Sequence, residues 1–453
     1  MPLTLCCSQP LNPDKSVCFR WTMTRLAILG GDPVLKNPLP RYSSMGEGEV
    51  RAVIDVVRSG TLSGFYGSWS DEFWGGPQVK AFEKAWSGRF RVKHAISMNS
   101  ATSGLCAAMG AIGIEPGDEV IVPPYTMSAT AMAPLIYGGI PVFADIEEST
   151  FGLDPSAVRR AITPRTKAIL VVNLFGHPAR IDDLLDIARE NDLVLVEDNA
   201  QGPLAEDKGR YAGTIGHIGV FSLNYHKHIH TGEGGMCVTQ DDDLALRLQL
   251  IRNHGENAVG PLEMTDLRNM IGFNFRMTEI QAAIGREQLK RVDKHVGRRV
   301  EIAQALSRGV EGLRGLIPPV VREGCRHVYY VWAVRYREEE LRLKRSTFCR
   351  ALAAEGFPVF EGYVKPLYLL PAFQKKIAIG NKGFPFHLSP QRDYRKGLCP
   401  VCERMHEREF IGFEPCAYDL DEKTLEVMVQ AIRKVHGSLG ELRDLEMQEG
   451  LEA

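Results

Sequence analysis

No stretch of the chain comes near the roughly 20 uninterrupted apolar residues that a membrane-spanning helix needs. The N-terminus also lacks an apolar core behind a basic end, the mark of a secretory leader. The expectation is a soluble protein that stays in the cytoplasm. Neither sign of charge is in excess, with 54 Lys and Arg against 56 Asp and Glu and no long basic tract. Nucleic acid therefore has no electrostatic footing here. The 10 cysteines are too few and too scattered for a disulfide scaffold, running from Cys6, Cys7 and Cys18 to Cys106 and Cys237, so reduced thiols are expected. Cys399 and Cys402, followed by His406 and Cys416, come nearest to a zinc spacing, but a second close pair is missing. Pro400 and Val401 serve equally well as a turn into a helix, and no metal site is expected.

What is present reads as two packed units. A length of 453 residues suits one large and one smaller domain. Residues 1–22 show no periodicity and read as a tail, followed by a strand-like Leu26–Leu29. Helical patterns at 46–59 and 79–90 flank an aromatic and glycine-rich stretch, Phe65–Gly76, which reads as a loop folded over its own aromatics or as a lid. From residue 94 to about 240, short apolar runs alternate with amphipathic helices, the pattern of a mainly parallel sheet covered on both faces. Ligands in such α/β sheets gather beyond the carboxyl ends of the strands. A long helix over 279–306 then leads to a strand at 329–336, helices at 341–355 and 425–435, and a Gly-, Pro- and Lys-rich linker over 373–400. The expected division is a tail at 1–22, a large domain at 23–295, a small α+β domain at 296–440 and a charged tail at 441–453.

Three segments carry chemistry. In Val220–Gly235 a single lysine, Lys227, stands among small, hydroxyl and aromatic groups. Such an amine becomes a nucleophile when burial or nearby cations lower its pKa, and an imine to pyridoxal phosphate is a common use of that state. Leu195–Gln201 is an apolar strand delivering Asp198 at its end, suited to the pyridine nitrogen of that cofactor, or equally to a helix cap or a metal. Asn99–Gly104 is a small-residue turn into a helix, whose free amides suit a phosphate as well as a plain cap. His226, His228 and His230 alternate around the lysine but have no carboxylate partner, so a pocket role for His226 is favoured over a metal.

In this order the segments resemble the DegT/DnrJ/EryC1/StrS family of sugar aminotransferases. The resemblance runs from about Leu26 to Val435 and rests on Asn99–Thr102, Pro116–Pro123, Glu197–Gln201, Phe221–Lys227, Thr231–Gly235 and Gly272–Ala283, among others. It implies the fold type I architecture of pyridoxal-phosphate enzymes, an α/β fold with a mainly parallel, seven-stranded sheet and a smaller C-terminal domain. It further implies that Lys227 holds pyridoxal 5'-phosphate as a Schiff base and shuttles a proton. Asp198 would pair with the pyridinium, Gln201 would lie near the phenolic oxygen, and Ala101, Thr102 and Ser222 would bind the phosphate. Asn274 would reach the phosphate of a neighbouring subunit, so a homodimer is implied. Met127 stands where the family usually stacks an aromatic ring, a departure that leaves Tyr125 as a substitute wall. Tyr363 and Lys365, with the 373–400 loop, are the expected acceptor contacts, and Arg326 and His327 are weaker ones.

The implied reaction takes an amino group from glutamate or glutamine to a keto-sugar, expected to be nucleotide-linked, or to a keto-cyclitol. Relatives with histidine in place of the lysine are dehydratases, which the lysine here disfavours. A non-catalytic member using the fold for binding or regulation is the other rival.

Overall fold

The computed structural model describes residues 25–452, so the tail expected over 1–22 lies outside the described residues. At its centre is a seven-stranded sheet in the order His94–Met98, Gly235–Thr239, Ile218–Ser222, Val194–Asp198, Thr166–Val172, Glu119–Val122, Ile140–Phe143. Only Gly235–Thr239 runs against its neighbours; the remaining pairs between Ile218–Ser222 and Ile140–Phe143 are parallel. These strands read as continuous apolar runs because both faces are covered. On one face Val120, Val122, Leu170, Val196 and Val220 pack with the helix Ala101–Ala111. On the other, Ile121, Ile169, Val171 and Leu195 meet the amphipathic helix Ile181–Glu190. The register sets Asp198 beside Val172 on one neighbouring strand and Val220 on the other.

A second, antiparallel sheet is formed by Leu316–Ile317, Trp332–Tyr336, Phe410–Phe413 and Phe360–Glu361. It packs with Val292–Val310, Arg345–Ala354 and Glu422–Gly437. The helix Val292–Val310 belongs to both regions: Val292 and Val296 pack in the core around Phe82 and Trp86, while Ile302, Leu306 and Val310 pack beneath the second sheet. Two segments cross over as well. Leu26 and Leu39 join the second core, and Phe373, Phe386, Tyr394, Cys399, Cys402 and Phe410 join the first.

Several elements differ from expectation for identifiable reasons. Leu26–Leu29 is a short 3-10 turn, not a strand: the amides of Leu29 and Gly31 bond back to Leu26 O, and Glu355 takes the Ala27 amide. The helix over 279–306 divides at Arg291 into Glu279–Lys290 and Val292–Val310; Arg291 leaves helical geometry and its guanidinium caps Ser44 O. The strand over 329–336 starts only at Trp332, because Tyr329 sits at φ 51 and Tyr330 bonds to Phe175 O instead of a strand neighbour.

The 373–400 stretch is not a free linker. Phe373 and Tyr394 pack edge-on against Phe143, with centroids 5.1 and 5.8 Å away, and Arg392 and Ser389 bond the buried carboxylate of Glu119. Its anchors therefore lie on the Phe143 side of the sheet. The charged C-terminal end is likewise a docked helix, Leu439–Glu452, and not a tail: Leu442 is buried, and Glu446 accepts from the Lys344 amide and from Thr347 Oγ1. Within Phe65–Gly76, Phe73 is buried and Asn253 donates to the carbonyls of Tyr66 and Phe73, so this stretch is pinned over its own rings. Among the described residues no helix is long and apolar enough to cross a membrane.

Candidate active site

Asp198 ends the strand Val194–Asp198 at the carboxyl edge of the sheet. Its carboxylate accepts from Thr130 Oγ1 at 2.9 Å and from the Ala200 amide at 3.1 Å. Burial nevertheless dominates and raises its pKa, with the hydrogen bonds and Lys227 pulling the other way. A buried carboxylate of this kind gains from a cation placed against it.

Lys227 lies in the turn that follows Ile218–Ser222, where its amide bonds to Asn224 O. Its Nζ sits 4.2 Å from the centroid of the Tyr330 ring. Burial pushes the amine down to about 8, partly offset by the negative charge of Asp198. At neutral pH a usable fraction is then unprotonated, which an ordinary surface lysine does not offer.

Tyr330 is held by two carbonyl partnerships. The Tyr330 amide donates to Phe175 O and the Val328 amide to Gly176 O. His228, fully buried, contacts Val328 O through Nε2 at 2.8 Å. The histidine next to the lysine is thus a brace for the segment bearing Tyr330, and His327, also buried, accepts the Tyr329 amide at Nδ1. Both are pushed down in pKa by burial, His228 to about 3. His226 is exposed at the surface, with its ring 6.0 Å from that of Tyr330; partial desolvation first and the charge of Lys227 second lower its pKa to about 4.

Gln201 is fixed at both ends, accepting the Phe175 amide at Oε1 (2.7 Å) and donating to Tyr363 Oη from Nε2 (2.8 Å). Tyr363 rests in turn on Tyr125, whose hydroxyl accepts the Tyr363 amide at 2.7 Å. Tyr125 is fully buried and forms a wall beneath Tyr363. Met127 is 54% exposed, and its sulfur accepts from the Ala129 amide at 3.0 Å.

The helix Ala101–Ala111 begins beside the antiparallel strand. Ser100 caps it by accepting the Ser103 amide, which leaves the amides of Ala101 and Thr102 with no acceptor among the described residues. Gly235 permits the close approach: a Cβ there would lie 2.5 Å from the Ser100 carbonyl and 2.7 Å from the Ala101 nitrogen. Ser222 pairs with Gly235 across the strands, and its Oγ accepts the Asn224 amide at 3.3 Å.

Asn274 is exposed; its Oδ1 accepts from Arg276, and its carbonyl accepts from Asn99 Nδ2 at 3.3 Å, beside the start of its own chain's helix Ala101–Ala111. Lys365 is exposed and lies near His406, whose protonation it opposes, away from the groups acting on Lys227. Arg326 pairs with Glu206 at 3.6 Å. Thr130, Tyr330, Glu414 and Cys416 were missed in the sequence; the last two follow the strand Phe410–Phe413 and act on the lysine amine. Cys399 and Cys402 are buried as thiols, and no group of three potential ligands is arranged to hold a metal among the described residues.

The chain is similar to GDP-perosamine synthase of Caulobacter vibrioides, at 40% identity over 302 residues covering 65% of this chain and 78% of that one. It is 34% identical over 434 residues to the L-glutamine:2-deoxy-scyllo-inosose aminotransferase of Streptoalloteichus tenebrarius, covering 92% and 99%. Among solved structures, S. venezuelae DesV in complex with a ketimine intermediate superposes with a TM-score of 0.73 at 30% identity, covering 88% of this chain and 99% of that one. The neighbours share the fold type I architecture, and the family match itself spans residues 68–386. The protein belongs to the DegT/DnrJ/EryC1/StrS aminotransferase family.

Proposed function

We propose that the chain is a pyridoxal-phosphate-dependent aminotransferase that moves an amino group from glutamate or glutamine to a keto-sugar or keto-cyclitol. The observation that carries this reading is the buried amine of Lys227, 4.2 Å from the Tyr330 ring and with its pKa lowered to about 8, within electrostatic reach of the buried carboxylate of Asp198. The residues fit the cofactor on three counts. The amides of Ala101 and Thr102 lack an acceptor, Gly235 and Ser222 leave a narrow cradle beside them, and Asp198 is a buried anion in want of a cation. When bound, pyridoxal phosphate supplies an electron sink for the charge left when a substrate carbon loses its proton.

The chain's own residues would do the rest. Asp198 would hold a proton on the pyridine nitrogen, kept in place by Thr130. The helix start and Ser222 would bind the phosphate. Gln201, anchored to Phe175 and Tyr363, retains one N–H that would point to the phenolic oxygen. Lys227 would hold the cofactor and, once released, carry a proton at Nζ between substrate and cofactor, work that a pKa near neutrality suits. Met127 would lie against the cofactor ring, its thioether in place of an aromatic face. His226 and Tyr363 would meet the substrate; Lys365 would do so only from the rim.

Asn274 would bind the phosphate of a partner subunit, its exposure in one chain fitting that use, so the working form would be a homodimer. Seven free cysteines among the described residues favour a reducing compartment such as the cytoplasm. The division into units at about residue 295 fits the helix Val292–Val310, which changes core partners along its length. Adding glutamine or glutamate alone to the protein loaded with pyridoxal phosphate is expected to convert the bound cofactor to its amine form, seen as a change in visible absorbance. A dehydratase or a binding protein of the same fold would give no conversion, and Lys227→Ala is expected to abolish it.

A further inference from the structure

The strand Glu119–Val122 ends at the carboxyl edge of the central sheet, and the chain turns through 123–127 into the short helix Ala129–Met132. Met127 is tied to the buried carboxylate through one residue: the Thr130 amide donates to Met127 O at 3.3 Å, and Thr130 Oγ1 donates to Asp198 at 2.9 Å. Two positions before Met127, Tyr125 Oη accepts the Tyr363 amide at 2.7 Å, and Tyr363 Oη takes Gln201 Nε2 at 2.8 Å. The turn bearing Met127 is thus bonded to residues on both sides of the site.

Met98, Met109, Met236 and Met405 are fully buried, as core methionines are. Met127 is 54% exposed, and among the described residues only Met447 and Met45 are exposed to a comparable extent. Its side chain nevertheless folds back on its own turn, with Sδ accepting from the Ala129 amide at 3.0 Å and lying 3.8 Å from Ser128 Oγ. That amide engages one lone pair of the sulfur and leaves the other open to solvent. An accessible thioether is what a peroxide converts to a sulfoxide. The open lone pair attacks a peroxide oxygen, the O–O bond breaks, an S–O bond forms and water leaves; sulfur gives up two electrons and the peroxide takes them.

A thioether offers a polarizable apolar surface to an aromatic face. A sulfoxide offers instead an oxygen that needs a hydrogen-bond donor, and a ring face supplies none. We propose that Met127 is an oxidation site whose conversion to the sulfoxide lowers the affinity of the protein for pyridoxal phosphate, and that the bound cofactor shields it. Cofactor and oxidant then compete for one sulfur. This inference rests on the pyridoxal-phosphate reading above, with Met127 lying against the cofactor ring.

The test begins with cofactor-free protein treated with hydrogen peroxide and then with dithiothreitol, which returns oxidised thiols but leaves sulfoxides. Peptide mass spectrometry measures the sulfoxide at Met127, Met45 and Met447. Affinity for pyridoxal phosphate is read by fluorescence quenching before and after oxidation, in the wild type and in Met127→Leu, and compared as a ratio within each protein. The wild type is expected to lose roughly 10- to 100-fold in affinity and to regain it with methionine sulfoxide reductase. Met127→Leu, oxidised alike at Met45 and Met447, is expected to keep its own starting value. With the cofactor bound beforehand, Met127 is expected to oxidise more slowly while Met447 reacts at an unchanged rate. Unaltered affinity in wild-type protein carrying the Met127 sulfoxide overturns the proposal. So does an equal loss in Met127→Leu, or a Met127 oxidation rate that is the same with and without cofactor. Protein that takes up no pyridoxal phosphate before oxidation overturns the cofactor reading itself, and this inference with it.

Discussion

The amine of Lys227 and the ring of Tyr330 are 4.2 Å apart, with the nitrogen over the ring face. The π face favours the charged amine, while burial opposes it more strongly and sets the value near 8. Replacing Tyr330 by Leu removes the favourable part and keeps the apolar surroundings. The amine is then expected to titrate lower by roughly 0.5–1.5 pH units, with Tyr330→Phe close to the wild type. The check is the pH dependence of the rate at which cofactor-free protein takes up pyridoxal phosphate. A scaffolding role for the ring would alter that rate at every pH and leave the midpoint in place.

Thr130→Val strips the buried Asp198 of a 2.9 Å hydrogen bond without changing side-chain volume. An unsatisfied buried carboxylate oxygen costs about 1–3 kcal/mol. The denaturant midpoint of the cofactor-free protein is expected to fall accordingly, and cofactor affinity, read from fluorescence quenching, to weaken with it.

Gly235→Ala places a Cβ against backbone atoms of Ser100 and Ala101, which cannot swing aside as a side chain would. The helix start must shift, and retention of pyridoxal phosphate on dialysis is expected to be lost while the far-ultraviolet circular dichroism is kept. Retention equal to wild type would exclude this helix start as the phosphate site.

His177, His228 and His327 are buried and neutral, with pKa values pushed below 6.5 by burial, to about 4 for His177 and about 3 for His228. The unfolded chain binds protons at these rings from pH 6.5 downward, whereas the folded chain does not until much lower pH. Stability is therefore full above pH 6.5 and falls as the pH drops from there toward 4. Thermal midpoints measured between pH 7 and 5 should fall, and His327→Asn should flatten the fall.

Much of this was legible in the sequence because the relevant residues are local. The strand–turn–helix around Ala101, the strand end at Asp198 and the lysine turn each announce themselves within ten residues. The alternation of apolar runs also gave the parallel sheet. Tyr330 was not legible: nothing within its own segment marks it, and its position depends on the left-handed turn at Tyr329 and on carbonyls of Phe175 and Gly176, about 150 residues earlier. Thr130 was hidden for the same reason, since its partner Asp198 lies 68 residues further along the chain. The docked C-terminal helix was missed because its charged pattern resembles that of a solvated tail, although Leu442 and Glu446 fasten it to the second core.

The segment running from Leu367 to Phe410 leaves the second sheet, supplies aromatic rings to the first core and returns to form a strand of the second. The chain is consequently sewn rather than hinged at a single seam. A fragment ending near residue 295 would expose Phe143 and its neighbours where Phe373 and Tyr394 now lie, so the larger unit needs the later segment to complete its core.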